Sequence, residues 1–293
     1  MKKGMLLLAM ALVCHGVNAQ TDTTIVAASD TAGRKTVRIG NILIIKAKDQ
    51  KGRKYVELTN KDSVKRKVSR VTTNWGILDL GFSNFTDKTD YAQTGSFIQN
   101  NPNGPAINGY DFRTRNGKSV NVNIWFFMQK VNLIKQNVNL KYGLGLELNN
   151  YRFRSPVSFR EDGTLPFSGG MTTNQPFVFR DTISFKKNKL AADYLTIPVM
   201  LNFTTNNKKG MDFGFSAGVS IGYLYSQRNK QVSEERGKEK SRGDFDMEPF
   251  KFSYIGELTL GPVRLYGSYT PKSMFSNQMD FRPYNFGFRL SKF

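Results

Sequence analysis

From Asn74 to Phe293 the chain alternates apolar and polar residues in eight runs, each about the length a tilted strand needs to cross a hydrocarbon layer. Successive side chains of a β-strand point to opposite faces, so this alternation predicts strands with one apolar and one polar side. In the third run, Val138 to Tyr151, Leu140, Tyr142, Leu144, Leu146 and Leu148 alternate with Lys141, Gly143, Gly145, Glu147 and Asn149. The fourth, Asp193 to Thr204, sets Leu195, Ile197, Val199, Leu201 and Phe203 against Thr196, Pro198, Met200 and Asn202. The fifth, Met211 to Tyr225, sets Phe213, Phe215, Val219 and Ile221 against glycines and serines. The remaining runs lie near 74–85, 119–130, 250–260, 263–270 and 282–293, with Met128 expected on the apolar face of the second.

The gaps alternate too. Those after runs two, four and six are short, whereas those after runs one, three, five and seven are long, about 86–118, 152–192, 226–249 and 271–281. Short turns at one end and long loops at the other are the pattern of an outer-membrane barrel with the long loops outside the cell. The expected fold is therefore all-β: an eight-stranded antiparallel up-and-down transmembrane β-barrel over 74–293, both termini periplasmic. A soluble eight-stranded barrel is the structural rival, and it would turn the same apolar faces inward.

On the membrane reading, Leu144, Leu146, Ile197, Val199, Leu201, Phe215, Val219, Phe286 and Phe288 face lipid. Asp79, Lys141, Glu147, Lys251, Glu257, Arg264 and Arg289 then face a lumen just wide enough to be filled by side chains. Charges in such a place must be paired or hydrated, so a plug of ion pairs is expected, with Asp79 meeting Arg289 where the first and last strands close. A proton or ion path through the array is the alternative. Trp75, Trp125, Tyr151, Tyr225, Tyr269 and Tyr284 lie near run ends, where aromatic belts belong.

Ahead of the barrel, Lys2 and Lys3, the apolar stretch Met5 to Cys14 and the small-residue site ending at Ala19 predict a signal peptide over 1–19. Cys14 could mark a lipoprotein signal instead, but Val13 occupies the position where a small residue is expected. Residues 20–73 form a basic periplasmic extension with thirteen Lys/Arg against five Asp/Glu. Its start is polar and aperiodic and is expected to be disordered, while Val37 to Leu58 predicts a hairpin. Lys65, Arg66, Lys67 and Arg70 follow as a solvated linker, with attraction to anionic headgroups as the alternative reading.

Net charge is +20, with 43 lysines and arginines. Export excludes nucleic acid as the partner and leaves the anionic lipids and glycans of an envelope. Beyond Ala19 the chain has no cysteine and no histidine, which removes disulfides, thiolate nucleophiles, Cys/His zinc sites and Ser-His or Asp-His catalysis. Glu161 with Asp162, and Asp244, Asp246 and Glu248, are loop carboxylates that fit solubility better than glycosidase pairs or Ca²⁺ ligation. No enzyme activity, no cofactor and no metal are expected.

The segment Tyr194-Leu195-Thr196-Ile197-Pro198-Val199-Met200-Leu201 resembles the Y-L-x-I-P strand of PorT-like outer-membrane β-barrels of Bacteroidota. Lys141-Tyr142-Gly143-Leu144-Gly145-Leu146-Glu147 is similar to the glycine-alternating strands of that family. The resemblance covers about 74–293 and implies an outer-membrane location; the family's link to a secretion machine does not carry over on fold motifs. One departure is Phe293, whose parity is opposite to that of Tyr284, Phe286, Phe288 and Leu290, so the terminal assembly signal is imperfect. Two functions follow. The first is a non-enzymatic, monomeric barrel in contact with outer-membrane lipids, whose long loops, notably 152–192 with Phe153, Phe159, Phe167, Phe177, Phe179 and Phe185, bind a surface ligand or partner. The second is a component of an envelope or secretion machine, docked to a protein partner through residues 20–73.

Overall fold

In the computed structural model the alternating runs become strands β1 (Val71–Asp87), β2 (Val120–Ile134), β3 (Val138–Arg152), β4 (Lys187–Thr205), β5 (Phe213–Val232), β6 (Phe250–Leu260), β7 (Val263–Tyr269) and β8 (Phe281–Arg289). The structure describes residues 28–29, 35–39, 42–48, 54–60, 70–134, 137–205, 213–277 and 279–290. Residues 1–19, expected to be a signal peptide, most of 20–35, expected to be disordered, Lys65 to Lys67 and Phe293 lie outside the described residues, while Ala28–Ser29 within 20–35 is a strand.

Each strand of the eight is antiparallel to the next, β4 pairs with β5, and β8 returns to β1, so the sheet is a ring. A ring satisfies every strand edge, which is what a β-structure requires where no water can pair with the backbone. On the inner side, Gly81 and Gly287 are direct partners across the closing seam. A Cβ on Gly287 would lie 2.4 Å from the Gly81 Cα, and one on Gly81 would lie 2.4 Å from the Tyr266 hydroxyl. The seam closes because neither residue has a side chain.

Outside, the alternation is preserved. Ile197, Val199, Leu201, Phe215, Phe286 and Phe288 are exposed, and Leu144, Leu146 and Val219 share that outer face half-buried between neighbours. From Leu195 to Phe203 the apolar stripe of β4 spans about 26 Å along the strand at a rise of about 3.3 Å per residue. At the long-loop end the stripe meets a belt of Tyr223, Phe250, Tyr254, Tyr269 and Tyr284, in which Tyr269 is the cross-strand partner of both Tyr254 and Tyr284. Near the other end, Trp75 packs on Phe127 with ring centroids 5.8 Å apart.

Three expectations fail for a local reason each. Trp125 and Met128 both point inward, Met128 fully buried. The extra residue Phe126 interrupts the pairing of β2 with β3 between Trp125 and Phe127, while Gly76, at φ +65°, interrupts β1 opposite it. A bulge reverses the in-out parity of everything beyond it, so simple alternation places Met128 on the wrong face. Tyr151, expected in a belt, is 1% exposed, because its odd position on β3 shares the inner face with Lys141 and Glu147.

Residues Met1–Val68 form a separate compact unit. Where a hairpin was expected, four strands, Ala28–Ser29, Lys35–Ile39, Ile42–Lys48 and Lys54–Asn60, pair in sequence as an antiparallel meander. A meander of this size supplies the additional strands that an isolated hairpin lacks. The first ring strand begins at Val71, ahead of the expected Asn74.

Candidate functional site

Two regions carry the polar chemistry: the inside of the ring, and the cap built by the long loops. Inside, strand parity directs three carboxylates and three cations to the inner face. Arg289 Nε donates to Asp79 Oδ1 at 2.7 Å and Nη2 donates to Asp79 Oδ2 at 2.9 Å, across the closing seam. The third nitrogen of the same guanidinium donates to Glu257, which also accepts from Lys141. Lys251 pairs with Glu147 and lies 4.4 Å above the Tyr194 ring, a cation–π contact.

Neutral neighbours complete the shell. The Trp125 indole donates to Asp79 Oδ2 at 2.7 Å, and Asn149 and Asn285 donate to Glu147 Oε1 at 3.0 and 3.1 Å. With the Ser216 hydroxyl donating to Glu257 Oε2 at 3.4 Å, each carboxylate is met by a full cation and at least one neutral donor, which is the condition for keeping ionised groups out of water. Arg264 is half-buried on the same inward row of β7, nearer the short-turn end. A cavity of about 30 Å³ remains among Asp79, Glu147, Glu257 and Arg289, room for about one water. Ile77, Trp125, Met128 and Met200 form a small apolar layer beside it.

The cap has a core of its own. Phe112, Phe153, Phe159, Phe245, Phe275 and Phe281 are all buried and touch in a chain of stacked, tilted and edge-on rings, 5.2–6.4 Å between centroids. Tyr151 and Tyr194 join this core from the ring below. Phe153, Phe159 and Phe177 therefore point into the cap instead of forming an exposed recognition surface; Phe167 stays 40% exposed, at φ 62°. Ion pairs tie the loops to one another. Arg180 grips Asp111 at 2.9 and 2.6 Å, and Arg236 grips Asp181 at 2.8 and 3.2 Å, both in two-pronged geometry.

The loop carboxylates are taken up locally. Asp244 Oδ1 accepts from Gln227 at 3.2 Å and from the Asp246 amide, Asp246 receives Asn277, and Glu248 meets Lys272 at 2.8 Å. A cleft of about 340 Å³ opens between the first loop and the end of β3, lined by Asn84, Asp87, Arg113, Thr114, Asn116 and Arg154. Arg113 lies over the Tyr110 ring at 4.2 Å, and Arg154 Nε donates to the Thr114 carbonyl at 3.1 Å, which fixes both guanidinium groups at its rim. Beside it the Tyr91 hydroxyl donates to Asp87 at 2.5 Å; burial first, and then that bond, push the phenol above its ordinary range. None of these cap residues was marked by periodicity. Their only signal in the sequence is the density of phenylalanine in gaps too long to be turns.

No curated protein matches the sequence. The family model for an outer membrane protein beta-barrel domain matches residues 78–276, more than half of the chain and all of the ring except its first and last segments. The outer face, the ring closure and this match agree, and the chain belongs to the outer membrane protein β-barrel domain family.

Proposed function

We propose that the protein is a closed, non-catalytic barrel that holds a folded extracellular cap above the outer membrane, and that the cap binds a surface ligand or partner. The observation that carries this reading is the cap's own aromatic core, joined to the ring through Tyr151 and Tyr194. Loops that only connect strands have no reason to bury this much apolar surface; loops that present a fixed surface do. The Asp87–Arg113–Arg154 cleft, polar and of ligand size, is where a small polar group would sit. The Y-L-x-I-P strand further supports a PorT-like member of the family, with the termini on the periplasmic side.

A photo-crosslinking residue at Asn116, on the cleft rim, tests this in intact cells. A crosslinked species that disappears in Arg113→Ala is the expected result. A second reading, docking through the extension, draws on the four-stranded sheet of residues 28–60, which is more than a linker needs. Crosslinks from a residue placed at Lys46, with none from Asn116, would replace the first reading by the second. The filled lumen carries a prediction of its own. Reconstituted in a planar bilayer, the folded protein is expected to give no stable conductance steps, and steady ohmic steps would mean that the ion-pair plug opens.

A further inference from the structure

Above the tyrosine belt, β4 and β5 continue beyond the apolar stripe, and Lys238–Arg242 takes the place of β6 as the neighbour of β5. The register puts Arg152, Lys189, Lys230 and Lys240 side by side in one cross-strand row, on four adjacent strands. The next row down adds Arg228 beside Arg242. Parity places all of them on the outward face: the intervening Asn188, Asn229 and Gln231 are buried, and they bond to the cap and to each other. Glu239 alternates with Lys238 and Lys240 and so lies on the opposite side.

Like charges directly opposite one another in a sheet are destabilising, and this face sets four in a line. Asp193 is bound by Arg228 and Glu234 by Lys186, and the Lys189 ammonium donates to the neutral Asn150 side-chain oxygen. Arg152 donates one nitrogen to the Lys186 carbonyl at 2.8 Å, while its buried Nε has no hydrogen-bond partner. Burial and then repulsion from Lys187, Arg228 and Lys230 bring the Lys189 ammonium down to about 8. Lys230 is lowered chiefly by Lys238 and Lys187. The array concentrates positive charge on one outward face, where an anionic group would relieve the repulsion.

Its height says which counter-charge. Arg228 and Lys230 lie three and five residues beyond Tyr225, about 10 and 16 Å along the strand, at headgroup level on the side that faces lipid. We infer that this basic face binds the phosphate groups of an anionic glycolipid in the outer leaflet, with Lys189, Lys230 and Lys240 as the central contacts. The inference rests on the extracellular placement of the long loops given above. A phosphate carries acceptor oxygens enough to meet several ammonium groups at once, and it converts a repulsive row into a set of charge-assisted hydrogen bonds.

The test uses the full-length protein, purified folded in a nonionic detergent, and titrates phosphorylated lipid A and enzymatically dephosphorylated lipid A by native mass spectrometry. Phosphorylated lipid A is expected to bind wild type at least about tenfold more tightly than Lys189→Gln/Lys230→Gln/Lys240→Gln, with the dephosphorylated form weak on both. The lipid-free triple variant should also melt above wild type, since repulsion is relieved. Equal affinity for the two lipids, or for the two proteins, overturns the proposal. Full displacement of the lipid by inorganic phosphate or an acidic polysaccharide also overturns it, because the face would then be a general polyanion site. An epitope inserted between Gly169 and Gly170 separates this from the orientation. If it is hidden on intact cells while lipid A still binds in detergent, the loop placement is what fails.

Discussion

Glu257→Gln is expected to cost about 3–5 kcal/mol of folding stability, the scale for removing one partner from a buried ion pair. Glu257 is the acid of the lumen cluster that two cations share, Lys141 and Arg289, so the change leaves two positive groups facing each other where one carboxylate had held both. Measured as the urea midpoint of the detergent-folded protein, or as loss of the fast-migrating unheated band on a gel, the effect should be large at neutral pH. The double substitution Glu257→Leu/Lys141→Met should recover most of it. It removes one cation with the acid, and Asp79–Arg289 and Glu147–Lys251 remain internally balanced. If the single variant is as stable as wild type, the cluster is more hydrated than its burial indicates and contributes little.

Phe159→Ala is expected to remove about 3–5 kcal/mol from the cap, the range for deleting a large buried aromatic ring. Phe159 is fully buried and its ring meets those of Phe112, Phe153, Phe245 and Phe275. The loss should be local. Limited proteolysis should cut within 160–186 many times faster, while the unheated band keeps its mobility because the ring strands pair as before. A variant in which cap and barrel fail together would show that the two unfold as one cooperative unit, with Tyr151 and Tyr194 as the link between them.

The contrast between these two sites follows what the sequence makes legible. The ring could be read because membrane strands must alternate, and the alternation is local to each strand. Lys141 and Glu147 could be placed inside from their neighbours alone, and Arg289 could be matched with Asp79 from distances to the strand ends. The bulge at Phe126 and Gly76 was not legible, since one inserted residue leaves no mark on composition yet reverses the face of Met128 beyond it. The cap was not legible either. Its contacts join the four loops across large separations, as where Phe112 meets Phe281 with ring centroids 5.2 Å apart, and no periodicity encodes such pairs. The basic row above the belt was hidden for a similar reason, because its members become neighbours only once the register of β3, β4, β5 and the strand 238–242 is known.

The distribution along the chain of the six charges in the lumen ion-pair cluster has a consequence for how the protein reaches its membrane. Within the ion-pair cluster, Asp79, Lys141 and Glu147 come from the N-terminal half of the ring and bring one surplus negative charge; Lys251, Glu257 and Arg289 come from the C-terminal half and bring one surplus positive charge, to which Arg264 on the inward row adds another. Neither half of the cluster is balanced until the other meets it, and the contact that joins first strand to last is itself the Asp79–Arg289 pair. A half-assembled sheet entering the bilayer would carry an unmatched ion into hydrocarbon. For this chain, insertion ahead of closure is the costly order of events.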